Sequence, residues 1–288
     1  MILSVVIITH NEEANLTRTL ESVKPLVFDG KGEVIVVDSG SADRTVEVAK
    51  SYGAKVFVEE WKGYAAQKNS AIDKATGEWI LSLDADEEVE STLIEELTGH
   101  PTDKPLLGRS SREWCLTMEH ASVGPANLDM LKRRPVGFSV RRKNFFLGRW
   151  IKHGGFWPDP KLRLFRRGHG RCEARSVHET IQVRGRVVAI DRGALIHHSY
   201  PTLSDYIEHM NRYSSLGAQM AVADGPRGFS VADIVVRPAA TFIYNYFFRL
   251  GFLDGREGLL LHLYHAVYVS WKYAKAWELS RKNHTGIG

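Results

Sequence analysis

The chain of 288 residues is 43% hydrophobic and 25% charged with a net charge of +4, a composition that predicts a globular protein with a large core. Its two cysteines, Cys115 and Cys172, are too few for a disulfide framework and favour a reducing compartment. Residues 1–9 are apolar without a basic leader or a small-residue cleavage site, which predicts a first strand and not a signal peptide.

The small net charge conceals an uneven distribution along the chain. Residues 1–100 hold 9 Lys and Arg against 19 Asp and Glu, a balance of −10. Residues 132–171 hold 13 basic residues against the acid Asp159, a balance of +12. An acidic part suited to cations is therefore joined to a basic middle, which favours a nucleotide, a nucleic acid or an anionic lipid surface as partner.

The first hundred residues alternate predicted strands with predicted helices. The strands cover residues 3–9, 33–37, 55–58 and 79–83. The helices begin after residues 10–13 and at residues 44, 64 and 91, and they end near Pro25, Gly53, Gly77 and Gly99. This alternation predicts βαβ units and a mainly parallel sheet.

The fourth predicted strand runs directly into two carboxylates, Asp84 and Asp86. Its apolar run indicates a strand covered on both faces, and open α/β sheets bind ligands outside the carboxyl ends of their strands. Side chains two residues apart point the same way in an extended chain, so both carboxylates could converge on one hard cation and the phosphates of a nucleotide. The alternative is a surface turn, where Asp is common.

The alternation ends after residue 100. Residues 100–136 carry prolines 101, 105, 125 and 135 and predict an irregular insertion, a lobe or a lid. Short strands are predicted at residues 161–165, 187–190 and 194–196, and a helix at residues 204–223.

The tail, residues 234–279, is rich in aromatic residues. Its charge-free runs at residues 238–248 and 258–271 are 11 and 14 residues long, short of the roughly 20 that a membrane-spanning helix needs. The tail predicts either helices packed on the core or on a second subunit, or an element that lies in the plane of a membrane surface.

Four short motifs stand at the ends of successive predicted strands or in the loops that follow them. They are Thr9-His10-Asn11-Glu12, Asp38-Ser39-Gly40-Ser41-Ala42-Asp43, Gly63-Tyr64-Ala65-Ala66-Gln67-Lys68-Asn69 and Asp84-Ala85-Asp86. In this order and spacing they resemble the nucleotide-binding half of the family 2 inverting glycosyltransferases. The resemblance implies the GT-A fold, an α/β, Rossmann-like and mainly parallel sheet with flanking helices, here followed by a C-terminal helical extension.

The resemblance continues beyond residue 100. Residues 144–150, 161–166, 177–179 and 252–258 are similar to a subgroup that contains the β-1,4-glucosyltransferases of bacterial lipopolysaccharide inner-core assembly. The implied organisation has three successive parts: a nucleotide-sugar-binding half over residues 1–100, an acceptor-side half over residues 101–200 with an insertion near 100–136, and a helical, aromatic-rich extension over residues 201–288. Residues 100–136 depart from the family pattern, which leaves the acceptor open.

The resemblance also implies roles for individual residues of the acidic half. Thr9, Asn11 and Glu12 would contact the uridine, Asp38 would pair with the uracil beside Ser39, and Lys68 would reach the nucleotide. Asp84 would bind ribose or metal, and Asp86 would ligate Mg²⁺ or Mn²⁺ together with diphosphate oxygens. Helix-start and turn chemistry is the alternative for Glu12 and Asp38, and a solvated helix face is the alternative for Lys68.

The second half supplies further candidates. Glu179 is the predicted catalytic base, with a surface carboxylate as its alternative, and His197 or His198 could complete the metal shell. Arg163 and Arg166, interpreted as one charged strand face, would bind diphosphate or acceptor phosphate or else form a solvated edge. A Gly-rich loop with His153, Trp157 and Asp159 could line the sugar or acceptor pocket.

The sequence therefore predicts a metal-dependent inverting hexosyltransferase that moves glucose from UDP-glucose to a lipopolysaccharide-core or related glycolipid. A polyprenyl phosphate, a capsule glycan or a peptide is the alternative acceptor. The rival from another class is a non-catalytic nucleic-acid binder that uses the basic middle, although no nucleic-acid partner is expected. The expected location is the cytoplasm, with peripheral contact to the anionic inner face of the cytoplasmic membrane, and self-association is left open.

Overall fold

The computed structural model describes residues 2–27, 30–98, 134–173, 180–223 and 225–285, with side chains described as far as Arg281. These residues divide into two compact units. The first contains the described parts of residues 1–142, 160–173 and 180–197, and the second contains residues 143–159 and 198–285. The units differ from the three successive parts expected from the sequence, because strands from residues 160–197 return to the sheet of the first unit.

Four parallel strands build the first part of the sheet in the order β3-β2-β1-β4. They are β1 (Leu3–Thr9), β2 (Gly32–Asp38), β3 (Lys55–Val58) and β4 (Trp79–Asp84), with helices α1 (Glu13–Val27), α2 (Thr45–Ser51) and α3 (Tyr64–Lys74) in the connections. The register pairs Thr9 with Asp38 and Ile8 with Asp84. The carboxyl ends of β1, β2 and β4 therefore meet at one edge.

The apolar runs of the central strands are covered on both faces, as their composition predicts. On one face Val5, Ile7 and Leu81 pack in a cluster with Leu16 and Leu20 of α1. On the other face Val6, Ile35 and Ile80 pack with Ala71 and Ile72 of α3. This double cover fixes the strand ends that carry the motif residues.

The remaining strands of the sheet are β5 (Glu87–Val89), β6 (Gly137–Phe146), β7 (Arg149–Trp150), β8 (Lys161–Arg166) and β11 (Val187–Tyr200), and β9 (Gly170–Glu173) and β10 (Thr180–Val183) form a separate pair. In the sheet, antiparallel pairing joins β4 to β8, β8 to β6, β6 to β7 and β11 to β5. The order from β4 continues β8-β6-β11-β5, with helix α4 (Ser91–Thr98) after β5. The predicted α/β sheet with flanking helices is confirmed, and parallel pairing joins β1–β4.

β11 is one continuous strand of 14 residues, whereas the sequence predicted two pieces separated near Gly193. A side chain at Gly193 would lie 2.3 Å from the Cα atom of Leu93 in α4. The glycine thus permits close approach of helix and strand and does not mark a break.

The second unit contains the predicted helical extension. Its helices are α5 (Leu203–Ala223), α6 (Arg237–Ile243) and α7 (Gly255–Thr285); π-helical turns, Ala232–Val236 and Tyr244–Phe248, flank α6, and a 3₁₀ turn, Gly251–Asp254, precedes α7. α5 packs along α7, where Lys275 Nζ donates to the Asn211 carbonyl and to Ser214 Oγ, at 2.8 and 2.7 Å. Of the helices in the described ranges, none is both long and apolar enough to cross a bilayer.

The amino end of the parallel sheet is fastened by a buried carboxylate, Glu33, at the start of β2. Glu33 accepts hydrogen bonds from Ser4 Oγ at 2.6 Å, from the Thr76 amide at 2.8 Å and from Lys55 Nζ at 2.7 Å. Burial alone would raise its pKa, but the hydrogen bonds from Lys55, Ser4 and Thr76 lower the pKa of Glu33 to about 2. Glu33 therefore stabilises the fold in its charged form.

We expect E33Q to remove a stabilising contribution of about 3 kcal/mol at neutral pH. Because the folded-state pKa is depressed, this contribution is complete above the ordinary carboxyl pKa and is lost as the pH falls towards about 2. Urea denaturation at about pH 7 and about pH 3 measures it: the wild type should lose more stability on acidification than E33Q. E47Q, which removes an exposed carboxylate that pairs with Arg44, is the control and should behave like the wild type. Equal acid sensitivity of E33Q and wild type would contradict this role.

Candidate active site

Asp38 closes the end of β2 and organises the loop after it. Its buried carboxylate accepts from Thr9 Oγ1 at 2.8 Å, from the amides of Gly40 and Ser41 at 3.0 and 2.8 Å, and from Ser41 Oγ at 2.5 Å. Ser39 Oγ is buried and has no hydrogen-bond partner among the described residues. The loop thus holds a charged acceptor rigidly and contains one buried hydroxyl whose hydrogen-bonding capacity is not used by the described residues.

The loop after β1 is tied to the loop after β2. Asn11 has a φ of 55°, in the left-handed region that Asn tolerates. Its amide donates to Ser41 Oγ at 2.8 Å, and its side-chain oxygen accepts from the Ala42 amide at 2.8 Å. The Glu12 amide donates to Thr45 Oγ1 at 2.8 Å. The first two motifs therefore form one connected structure.

The Glu12 side chain faces the carboxylates at the end of β4. Burial raises the pKa of its carboxyl, a hydrogen bond from Asn15 lowers it, and the charges of Asp86, Asp43 and Asp84 raise it again, so that the net pKa shift is upward. Glu12 therefore lies in the negative field of these aspartates, and a cation bound beside Glu12 and Asp86 would relieve that repulsion.

Asp84 lies between two buried cations. Lys68 Nζ is 2.9 Å from its Oδ1, and the Arg163 guanidinium contacts its Oδ2. Burial would raise the pKa of Asp84, but the charges of Arg163 and Lys68 outweigh it and hold the pKa well below its ordinary value. Lys68 and Arg163 are each only 6% exposed, so neither forms part of a solvated face.

Glu87 is a site residue that the sequence did not single out. Its fully buried carboxylate accepts from Arg163 at 2.6 Å and from Arg142 at 3.3 Å with one oxygen, and from the Asp84 amide at 3.1 Å with the other. The sequence feature that could have indicated Glu87 is its position directly after the Asp84-Ala85-Asp86 motif.

A β-bulge delivers Arg163 to these carboxylates. Phe138 and Ser139 are consecutive in β6, yet their partners in β8 are Leu164 and Leu162, so Arg163 is the extra residue. Bulges re-aim side chains and recur beside active sites. Arg166, interpreted from the sequence as sharing a face with Arg163, lies instead opposite Trp79 at the amino end of β4 and pairs with Glu78 at 2.8 Å. The structure does not bring Arg166 to the carboxylate cluster.

Asp86 points to the end of β11. Its Oδ2 is 3.2 Å from His197 Nε2, and the two side chains are 27% and 16% exposed. His198, the next residue of the strand, belongs to the second unit, where its ring centroid lies 5.6 Å from that of Phe145. Adjacent side chains of a strand point to opposite faces, so of the two histidines His197 is the one brought to Asp86.

A divalent cation fits the Asp86 side of the cluster. Mg²⁺ is usually held by one or two carboxylates together with waters and substrate phosphates. Asp86 and His197 could supply an oxygen and a nitrogen, and Glu12 lies in the same negative field. No set of three or more His, Cys, Asp and Glu side chains in the described ranges is placed to hold an ion. Further ligands would have to come from substrate or water.

Two further predicted site residues, His153 and Trp157, belong to the second unit. There His153 Nδ1 is 3.0 Å from Asp254 Oδ1, and the Trp157 ring packs edge-on against Trp150 at 5.2 Å. Glu179, the predicted base, lies outside the described residues, as do Cys115 and most of the predicted insertion.

The third motif, residues 63–69, contains two further polar side chains with distinct surroundings, Gln67 and Asn69. Gln67 is fully buried, and its amide has no hydrogen-bond partner within the described part of the chain. An unpaired buried amide costs about 1–3 kcal/mol of folding free energy. Asn69 instead fastens β9, since its side chain exchanges hydrogen bonds of 2.8 and 2.9 Å with the Cys172 backbone.

The similarity to known proteins extends over almost the whole chain. Residues 4–106 match the family model Glycosyl transferase family 2. The lipopolysaccharide core biosynthesis glycosyltransferase LpsC of Rhizobium meliloti is 30% identical over 96% of this chain and 92% of its own length. An uncharacterized glycosyltransferase of Rickettsia typhi is 28% identical over 99% of this chain and 90% of its own. The crystal structure of S. aureus TarS 1-349 in complex with UDP covers 99% of this chain and 92% of its own at 16% identity, with a TM-score of 0.41.

Proposed function

This chain belongs to the family 2 glycosyltransferases, and we propose that it transfers a hexose, glucose from UDP-glucose, to a lipopolysaccharide-core or related glycolipid in a metal-dependent inverting reaction. One observation carries the proposal most directly: Asp38 at the end of β2 and the pair Asp84 and Asp86 at the end of β4 lie at the same edge of the sheet. That edge is where open α/β sheets bind nucleotides.

The donor would extend along this edge from the Asp38 loop to the Asp86 side. Asp38 would recognise the uracil, with Thr9 and Asn11 shaping its loop and Ser39 Oγ available to the nucleoside. Lys68 would balance phosphate charge at the centre, where it already pairs with Asp84. Holding both ends of a donor fixes the position of the bond that breaks.

Asp86 and His197 would hold Mg²⁺ or Mn²⁺. A bound dication would neutralise the charge that develops on the diphosphate leaving group. Since the cation serves the leaving group, the protein needs one base for the acceptor hydroxyl, and Glu179 is the residue proposed for that role from its sequence position. His153 and Trp157, in the second unit, are proposed acceptor contacts.

The acceptor assignment follows the name of the relative LpsC, whose similarity covers both units. Such an acceptor belongs to the cytoplasmic membrane, so the protein would act in the cytoplasm at the inner membrane face. The basic stretch, residues 132–171, suits a phosphorylated glycolipid. Glycolipid profiles of a deletion strain test this part, since a truncated core supports it and an intact core with altered capsule or polyprenyl-linked sugars contradicts it.

Calorimetric titration with UDP-glucose, GDP-glucose and dTDP-glucose, each with and without Mn²⁺, tests the donor. We expect UDP-glucose to bind best, and Mn²⁺ to strengthen its binding by about tenfold or more because the cation bridges protein and diphosphate. Tighter binding of GDP-glucose or dTDP-glucose would reassign the base recognised at Asp38. Equal binding with and without Mn²⁺ would remove the metal from the proposal.

A further inference from the structure

The helix over residues 231–248 of the second unit exposes a long apolar surface. Its exposed apolar positions recur every four residues, and the exposed Arg237 lies between them. We call the apolar set the apolar stripe: Val231, Ala232, Val235, Val236, Ala239, Ala240, Ile243, Tyr244, Phe247 and Phe248. Phe248 is 75% exposed, Tyr244 57% and Phe247 53%. Large exposed apolar patches are rare on globular proteins and mark interaction sites.

The helix geometry keeps the stripe on one side. In an α-helix, which has 3.6 residues per turn, side chains spaced four residues apart move gradually around the helix axis. Here π-helical turns at Ala232–Val236 and Tyr244–Phe248 widen the helix on either side of α6. π-helical turns are rare and are often found at functional sites. Their placement counteracts the drift and aligns the outward residues.

The opposite side of the same helix is also apolar and packs on α7. Ser270 Oγ donates to the Ile234 carbonyl at 2.8 Å, and Pro238 is buried. An apolar groove lined by Ile234, Pro238, Phe242, Leu263 and Val267 adjoins the stripe. Since one side already supplies the packing that holds the helix, the stripe is not needed for the core.

The exposed charges that border the stripe are mostly basic. Residues 231–253 contain Arg237, Arg249 and one acid, Asp233, whose carboxylate pairs with Arg237 at 2.8 Å. Arg249 and Arg256 are exposed, and the guanidinium of Arg249 lies over the Tyr244 ring. The acids that follow are Asp254, which is 2% exposed, and Glu257, which pairs with Arg149. An apolar, aromatic surface with a cationic border therefore faces outward.

The charge pattern decides between a lipid surface and a second copy of the chain. A two-fold interface brings the same patch of both copies together, so the arginines of the border would meet like charges. An anionic bilayer complements them, and aromatic residues favour the depth of the lipid headgroups. We propose that the apolar stripe is a membrane-docking surface that inserts among the headgroups of an anionic bilayer, with the helix in the membrane plane.

Cosedimentation with vesicles tests this proposal without any substrate, so it stands apart from the reaction proposed above. The wild-type protein is expected to bind vesicles of phosphatidylethanolamine and phosphatidylglycerol and to bind phosphatidylcholine vesicles more weakly. F247S combined with F248S should weaken binding by about tenfold or more, because two large apolar side chains no longer enter the bilayer. R256Q should reduce the preference for phosphatidylglycerol.

A second pair of substitutions, V235S with V236S, tests the other end of the stripe and should also weaken binding. F57S is the matched control, since Phe57 is an exposed phenylalanine of β3 in the first unit, and its binding should equal that of the wild type. Circular dichroism confirms that each variant is folded. Wild-type protein that stays in the supernatant, or F247S/F248S that binds fully, would overturn the proposal. So would a wild-type dimer that F247S/F248S converts to monomer without any vesicle binding.

Discussion

D86A is expected to abolish glycosyl transfer while the protein stays folded. Asp86 is the carboxylate best placed for a cation, since His197 adjoins it and Asp84 already contacts Lys68 and Arg163. Loss of an ion that stabilises the leaving group removes several kcal/mol of transition-state stabilisation, which corresponds to a rate loss of about 10³-fold or more. Stability should change by less than about 1 kcal/mol, because Asp86 and His197 are both partly exposed.

The measurement is transfer of labelled glucose from UDP-glucose to glycolipid extracted from a deletion strain, with urea denaturation as the test of folding. E88A is the matched control, because Glu88 lies two residues further along the chain and pairs with Arg18 at 3.0 Å. It should retain activity. Near-normal transfer by folded D86A would contradict the role of Asp86.

E179Q complements this experiment by separating donor binding from chemistry. If Glu179 is the base, E179Q keeps Mn²⁺-dependent UDP binding and loses transfer by about 10²-fold or more, whereas D86A loses both. Normal turnover of E179Q would assign the base to another residue.

R163L is expected to destabilise the first unit by about 3–5 kcal/mol, because it removes a buried cation that two carboxylates share. Glu87 is fully buried, the Asp84 side chain is 29% exposed and keeps Lys68 as a partner, and Arg163 contacts both carboxylates. Arg142, at 3.3 Å from Glu87, compensates only part of that charge. Urea denaturation followed by circular dichroism measures the loss.

R166L is the matched control from the same strand. Arg166 pairs with Glu78, and both side chains are more than one third exposed, so its loss should cost less than about 1 kcal/mol. Adding E87Q to R163L should recover part of the stability, because it removes the buried carboxylate that R163L leaves with only Arg142 as a cationic partner. Equal stability of R163L and R166L would show that the buried ion pairs do not stabilise the first unit.

The gathering of Thr9, Asp38 and Asp84 at one edge of the sheet was predictable because its signals are local. Thr9, Asp38 and Asp84 follow apolar runs whose length and spacing already indicate parallel strands, and parallel register alone brings their ends together. Lys68 was recognised through its motif, but its burial and its pairing with Asp84 depend on packing of α3 that no local pattern specifies.

The rest of the site depends on contacts between distant parts of the chain. Arg163 and Arg142 reach Glu87 from strands more than fifty residues away, and a bulge sets the aim of Arg163. The alternation of apolar and polar residues can identify a strand. It does not specify the register in which that strand pairs with a distant one, or where a bulge occurs. Arg142 and Arg163, both in the basic middle (residues 132–171), therefore pair with carboxylates of the protein itself. A count of charges along the sequence could not show this.

The ion pairs of Asp84 have a consequence for selectivity. Lys68 and Arg163 have a carboxylate partner before any substrate arrives, so a small anion such as sulfate gains little by displacing it. In the proposed reaction a whole nucleotide sugar would also bind the Asp38 loop, and that contact would offset the cost of rearranging the pairs. The carboxylate partners of Lys68 and Arg163 would thereby favour the nucleotide sugar over small inorganic anions.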